Sequence, residues 1–175
     1  MIKGDRIYLR LMEMADVPYK VSWINDDEVR ESLNFTFPIS IISTEQWLRN
    51  VCQKADRKDF IVCDLNDTPF GYAGLLNIDL NNKKAQSYMG IGRKDYWRKG
   101  YGYEIKLTLL KYAFSSLNLN KVYSFHHEDN YAMININKKL GGHIEGILRE
   151  DIVLPNNVIK NNVIMSVLRK DFALI

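Results

Sequence analysis

Cysteine is scarce in this 175-residue chain: only Cys52 and Cys63 occur, and neither stands at metal-ligand or redox-motif spacing, which leaves two reduced, small hydrophobic side chains. Long apolar runs are missing as well. No segment reaches the roughly 18 apolar residues that a membrane-spanning helix needs, and Met1-Ile2-Lys3-Gly4-Asp5-Arg6 enters a strand pattern directly, without a signal-peptide apolar core. No membrane partner and a cytoplasmic location are the expectations. Charge of one sign is not concentrated either: 24 Lys and Arg face 21 Asp and Glu, a net of +3, with no basic block and no basic-aromatic stripe, so no nucleic-acid partner is expected. Internal repeats, linkers and low-complexity segments are absent. With 46% hydrophobic and 26% charged residues, the chain suits one domain over residues 1–175 with a real core.

What is present centres on the stretch from Tyr88 to Asn118. There Trp97-Arg98-Lys99-Gly100-Tyr101-Gly102 places two glycines and two cations between a strand-like run and an amphipathic helix. Gly100 and Gly102 allow the backbone to approach a ligand, and the free N–H groups of a helix start converge on an anion with help from the helix dipole. Arg98 and Lys99 add charge. The helix beyond is marked by Ile105, Leu109, Tyr112, Ala113 and Leu117 at three- and four-residue steps, with Asn118 as its stop. Taken alone, the turn reads equally as an anion site or as a tight strand-to-helix connection. It is neither a dinucleotide fingerprint nor a P-loop, because G-x-G-x-x-G and a Lys-Ser/Thr pair are both missing.

Taken in order, the chain alternates strands and helices. Arg6–Leu11 reads as a first strand. Asp16, as N-cap with Pro18 in the first turn, predicts a short helix to about Asn25 with Trp23 facing inward. Asp26–Leu33 predicts a second, broken by Asn34–Pro38. Ser43-Thr44-Glu45-Gln46 has capping-box spacing and opens a helix carrying Trp47, Leu48 and Val51. Phe60–Leu65 and Pro69–Asp79 read as antiparallel strands joined around Asn66-Asp67, and a turn at Asn81–Lys84 leads into the strand Ala85–Gly92. Beyond the central helix come a strand Lys121–His127, a helix Asn130–Leu140 stopped by Gly141-Gly142, and two strands, His143–Val153 and Val158–Leu168, around Pro155-Asn156-Asn157. This is a mixed α+β order with mostly antiparallel connections.

Ile91-Gly92-Arg93-Lys94-Asp95-Tyr96-Trp97-Arg98-Lys99-Gly100-Tyr101-Gly102, then Lys111-Tyr112-Ala113-Phe114, then Asp129-Asn130-x-Ala132 resemble, in this order and over nearly the whole chain, the GNAT superfamily of acetyl-CoA-dependent N-acetyltransferases. The resemblance is strongest to the branch holding ribosomal-protein N-terminal, spermidine and amino-sugar acetyltransferases. It implies a twisted, mostly antiparallel sheet of about seven strands with a splayed strand pair that holds acetyl-CoA. It also implies transfer of acetyl directly to a primary amine of a small molecule, such as an amino sugar or polyamine, or to a peptide N-terminus. A homodimer is compatible with the branch; the alternative function is a non-catalytic acyl-CoA-binding or regulatory module. Trp97 holds the family's Gln/Arg position, and Arg98 stands where a glycine is common.

The resemblance also distributes roles. Trp97, Arg98, Lys99, Gly100, Tyr101, Gly102 and Tyr103 form the phosphate grip; a backbone N–H at Ile91–Gly92 serves the oxyanion; Asn130 contacts the cofactor arm. Asn137 stands where many relatives carry the tyrosine that protonates the thiolate. Two helical turns separate Asn137 from Asn130, so both share one face. An amide cannot supply that proton, although a thiol of pKa near 8.5 leaves tolerably without it. For the base, strand alternation puts His126 and Glu128 on one face. Asp26, Glu28, Glu31, Phe35 and Phe37, after the first helix, are the acceptor-side candidates.

Overall fold

The computed structural model describes residues 1–30, 38–154 and 157–172. The chain begins with two strands, β1 (Ile2–Lys3) and β2 (Ile7–Leu11), followed by α1 (Val17–Asn25), α2 (Asp27–Arg30) and α3 (Ile41–Val51). Three long strands come next, β3 (Lys58–Asp64), β4 (Pro69–Asp79) and β5 (Lys84–Ile91). The central helix α4 (Tyr101–Lys111) continues as a π turn over Tyr112–Ser116 and leads to β6 (Lys121–His127). α5 (Tyr131–Lys139), β7 (Gly142–Val153), β8 (Ile159–Leu168) and a short α6 (Arg169–Phe172) complete it. The order across the sheet is β1-β2-β3-β4-β5-β6-β8-β7, eight strands where about seven are expected. The additional one, β1, is two residues long and pairs only through Ile2 and Lys3, too short for a periodic pattern to reveal.

β3 is buried along nearly its whole length, and β4 over Phe70–Leu75, because helices cover both faces of the sheet. On one face Phe60, Val62, Phe70 and Ala73 pack with Ile105 and Leu109 of α4 and with Ala113 of the π turn beyond it. On the other, Ile61, Cys63 and Tyr72 pack with Trp23 and Ile24 of α1 and with Leu48 and Val51 of α3. The two-residue period of a strand sends neighbouring side chains to these two layers.

Two helix starts differ from the sequence reading. α3 opens three residues earlier than Ser43-Thr44-Glu45-Gln46 suggests: Ser40 is the cap, accepting the Ser43 N–H at 3.1 Å, with Ser43 completing the box. Serine at the third helical position does here what a glutamate usually does. Asp16 stands at the cap of α1 but makes no cap bond; Arg10 holds both its oxygens at 2.7 Å. An ion pair across the strand end outcompetes the local cap.

All neighbouring strands run antiparallel except β5 and β6, which are parallel and pair only through Lys84–Gln86 and Lys121–Tyr123. Beyond these the two strands part. β5 stays paired to β4 as far as Ile91, and β6 stays paired to β8 as far as His127, so the parting opens a wedge inside the sheet. At the far end of β5, Gly92 supports the aromatic layer: a Cβ there would lie 2.0 Å from Cγ of Trp23. Gly92→Ala should therefore destabilise the fold by about 3 kcal/mol, the upper end for overpacking. Urea unfolding of the two proteins measures it, and a loss below about 1 kcal/mol would mean that Trp23 moves aside freely.

Candidate functional site

The wedge ends at the turn before α4. Trp97 folds back so that its indole Nε1 donates to the Ile91 carbonyl at 2.9 Å. Arg98 and Gly100 then take left-handed backbone conformations, with φ of 57° and 83°, and α4 begins at Tyr101 with Gly100 as its cap. The N–H groups of Tyr101, Gly102 and Tyr103, in the first turn, have no carbonyl above them within the helix. They point outward with the positive end of the dipole. Arg6 locks the turn from beneath, donating to the Lys99 carbonyl at 3.2 Å and pairing with Glu104 at 2.8 Å while its guanidinium lies 4.4 Å from the Tyr101 ring centroid. The Tyr101 ring also packs against Phe70 and Tyr96. Arg98 and Lys99 are exposed and make no ion pair among the described residues.

The Gly92 N–H is spent on the Phe70 carbonyl at 2.9 Å and so faces β4, away from the wedge. Alternation along the strand turns the Ile91 N–H the other way. Of the pair Ile91–Gly92, only Ile91 presents a donor to the opening, which corrects the expectation for Gly92.

A polar chain crosses the floor of the wedge. Lys106 of α4 is 1% exposed and donates from Nζ to Ser87 Oγ of β5 at 2.6 Å and to Ser124 Oγ of β6 at 3.5 Å. Ser124 Oγ lies 2.8 Å from His126 Nε2, which also receives Asn137 Nδ2 at 3.1 Å. Nε2 is thus an acceptor, and the imidazole carries its proton on Nδ1. Burial, then the neighbouring charge of Lys106, then that of His127, lowers the His126 pKa to about 4. Burial lowers the Lys106 pKa to about 7. A cavity of about 260 Å³ in the wedge is bounded by Ser87, Met89, Lys106, His126, Asn130 and Met133.

Asn137 is 1% exposed and does not bound this cavity; its Nδ2 also donates to the Met133 carbonyl at 2.9 Å, while its Oδ1 has no partner. It stands behind His126, so its reach into the wedge is indirect. Asn130 caps α5, its side chain accepting the Met133 N–H at 3.2 Å, and also faces the cavity. Glu128 does not join His126. It lies past the end of β6, where alternation lapses, and its exposed carboxylate accepts the backbone and side-chain N–H groups of Asn161 at 3.2 and 2.9 Å. Nor is His126 suited to be a base, since Nε2 already accepts hydrogen bonds and burial lowers its affinity for a proton.

A second cavity, of about 620 Å³, adjoins the first across Gln86, Tyr88 and Met89 and is bounded by Lys20 of α1, Trp47 of α3, and Arg57 and Tyr72. Glu31, Phe35 and Phe37 lie outside the described residues. Asp26 and Glu28 are drawn to Lys94, at 3.1 and 2.9 Å, and bound neither cavity. Sequence reading overlooked Lys106, Ser87, Ser124, Lys20, Trp47 and Arg57. Lys106 did carry a signal: it falls in phase with Leu109, Leu110 and Ala113, a lysine inside an apolar stripe.

A sheet that parts between two parallel strands, with a helix N-terminus and cations at the mouth of the opening, is the architecture of an acyl-CoA-dependent acyltransferase. The chain belongs to the GNAT acetyltransferase family, whose model, described as acetyltransferase (GNAT) domain, matches residues 6–143. It is accordingly an N-acetyltransferase with acetyl-CoA as its acyl donor. An uncharacterised N-acetyltransferase of Bacillus licheniformis is 29% identical over 83% of this chain and 84% of its own. Spermidine N(1)-acetyltransferase of Escherichia coli K12 is 23% identical over 98% and 91%. The spermidine N-acetyltransferase of Vibrio cholerae, solved in complex with CoA and spermine, superimposes with a TM-score of 0.88 at 21% identity, covering 96% of this chain and 98% of that one. No helix among the described residues is long and apolar enough to cross a membrane.

The buried ammonium of Lys106 sets a pH dependence of stability. In the fold it loses its proton near 7, and in the unfolded chain near 10.4. Between these values the unfolded chain binds the extra proton, so stability rises with pH across that window. Lys106→Met should be more stable than the parent at about pH 7 by a few kcal/mol, at about 1.36 kcal/mol per unit, with the advantage shrinking toward about pH 10. Urea unfolding at both pH values tests this; an advantage that does not change with pH would show that Lys106 stays charged inside the fold.

Proposed function

We propose that this chain transfers the acetyl group of acetyl-CoA directly to a primary amine that enters from the larger cavity. The observation that carries this reading is the wedge between β5 and β6, which runs from the buried Lys106 to the left-handed Gly100 and the open N-terminus of α4. The N–H groups of Tyr101, Gly102 and Tyr103, with Arg98 and Lys99, would hold the phosphates. The edge of β5 at Ile91 and the cap residue Asn130 would flank the arm. Trp97 acts on the turn, by closing it onto Ile91. When bound, acetyl-CoA supplies an activated thioester.

The chain's own groups divide the remaining work. Ile91 N–H is a donor facing the opening, suited to a developing negative charge on oxygen. Lys106 Nζ holds a proton that it can release near neutral pH, which serves where Asn137 cannot donate one. Ser124 takes the hydrogen bond of Lys106 and passes its own to His126, and Asn137 fixes the imidazole from behind. Asn137 and His126 are then positioning residues for Lys106. Direct transfer, without an acyl-enzyme, fits the placement of the thiols: Cys63 is buried in the α1–α3 layer with its pKa raised chiefly by burial, and Cys52 is exposed at the end of α3.

Acetyl-CoA should raise the melting temperature of the protein by mass action, and Gly100→Val, which cannot hold the left-handed conformation, should abolish that rise. An unchanged rise would place the cofactor elsewhere. In a free-thiol assay over a panel of amines, Lys106→Met should lower kcat by about 10–100-fold and remove a limb of the pH profile that descends through about 7 in the parent, because general acids contribute on this scale or above. A variant that kept both kcat and the limb would exclude Lys106 from proton transfer.

A further inference from the structure

The larger cavity holds more positive charge than the transfer of an acetyl group requires. Lys20 is 6% exposed, and its Nζ lies 3.5 Å from the ring centroid of Trp47 and 5.6 Å from that of Tyr72. It makes no ion pair and no hydrogen bond among the described residues, although π faces alone replace water poorly around an ammonium. Arg57 lies over the same indole, 5.0 Å from its centroid. The carboxylate nearby, Asp59, is already committed: it receives two hydrogen bonds from Arg57 at 2.7 and 2.9 Å and a third from the Tyr88 hydroxyl. Arg57 and Asp59 cancel, and Lys20 remains uncompensated. Burial lowers its pKa to about 8, partly offset by the charge of Asp59, so the ammonium is still mostly protonated at neutral pH. Tyr72 also borders this cavity, while its hydroxyl is buried without a partner.

A buried ammonium with no carboxylate of its own, set against aromatic rings at a cavity wall, describes a receptor for an anion. A polyamine would instead bring further cations beside Lys20 and Arg57, with no carboxylate left to receive them among the described residues that bound the cavity. The acids near Lys20 in sequence are committed, Asp16 to Arg10 and Asp26 and Glu28 to Lys94. A cavity of about 620 Å³ also has room for a sugar-sized body and its charged group.

Resting on the acetyltransferase reading above, we propose that the acceptor is an amine bearing an anionic group, a phosphate or a carboxylate, which pairs with Lys20. The amine then extends past Gln86 and Met89 toward the β5–β6 wedge.

The test uses the full-length protein, saturating acetyl-CoA and four amines: glucosamine, glucosamine 6-phosphate, glutamate and spermidine. The KM of glucosamine 6-phosphate or of glutamate should lie below that of glucosamine by about 10-fold or more, the usual scale of a charge-assisted hydrogen bond. Which of the two is preferred separates phosphate from carboxylate. In Lys20→Gln the ratio of KM values between the neutral and the preferred anionic amine should collapse toward one, with the KM of acetyl-CoA unmoved, and Lys20→Arg should retain the ratio. Melting-temperature shifts caused by glucosamine 6-phosphate and by glutamate in the presence of CoA give the same comparison without turnover. A preference for spermidine, a ratio unchanged in Lys20→Gln, or no shift from either anionic amine would overturn the proposal while leaving acetyl transfer intact. Failure of acetyl-CoA itself to raise the melting temperature would instead sink the reading on which it rests.

Discussion

Ser87 and Ser124 stand where β5 and β6 cease to pair, and the ammonium of Lys106 reaches between them. Strand edges separated inside a protein leave backbone groups that must find other partners or a ligand. Here each strand is anchored on its outer side, β5 by β4 and β6 by β8, so the sheet opens without unravelling. A long side chain from the helix that lies across one face then fills the apex. The cost of burying its charge appears in the depressed pKa of Lys106, and the same depression gives the group a proton it can exchange near neutrality.

The rest of the site follows from which charges are neutralised and which are left. Asp16 is held by Arg10, Glu104 by Arg6, Asp59 by Arg57, and Asp26 and Glu28 by Lys94. The pairs at Arg6, Arg57 and Lys94 sit beside functional surfaces and stiffen them. Arg98 and Lys99 at the turn, Lys106 at the apex and Lys20 in the larger cavity make no ion pair with a carboxylate among the described residues. A net charge of +3 conceals this arrangement, because the consequence lies in the local imbalance and not in the total.

The likeness to the spermidine acetyltransferases extends through the fold, at 21% identity for the solved complex and 23% for the Escherichia coli enzyme. Acceptor choice in such a scaffold is set by the few side chains around one cavity, and these are free to change sign while the sheet and the turn persist. Here Lys20, Trp47 and Arg57 are among the side chains around that cavity.

Local order was legible from the sequence wherever a segment decided its own conformation. The strand boundaries, the helix after Gly100, the cap at Asn130 and the stop at Asn118 follow from side-chain period and backbone preference, which act over a few residues. The resemblance carried the turn and the strand leading to it. What tertiary structure alone decided was the partner of each polar group. It turned the Gly92 N–H to Phe70, tied Glu128 to Asn161, set His126 between Asn137 and the cavity, and brought Lys106 of α4 onto serines of two different strands. Hydrogen bonds and ion pairs between residues far apart in the chain depend on register and on the direction of side chains across packed layers. A one-dimensional pattern specifies which face a residue occupies, but not what waits on the other side.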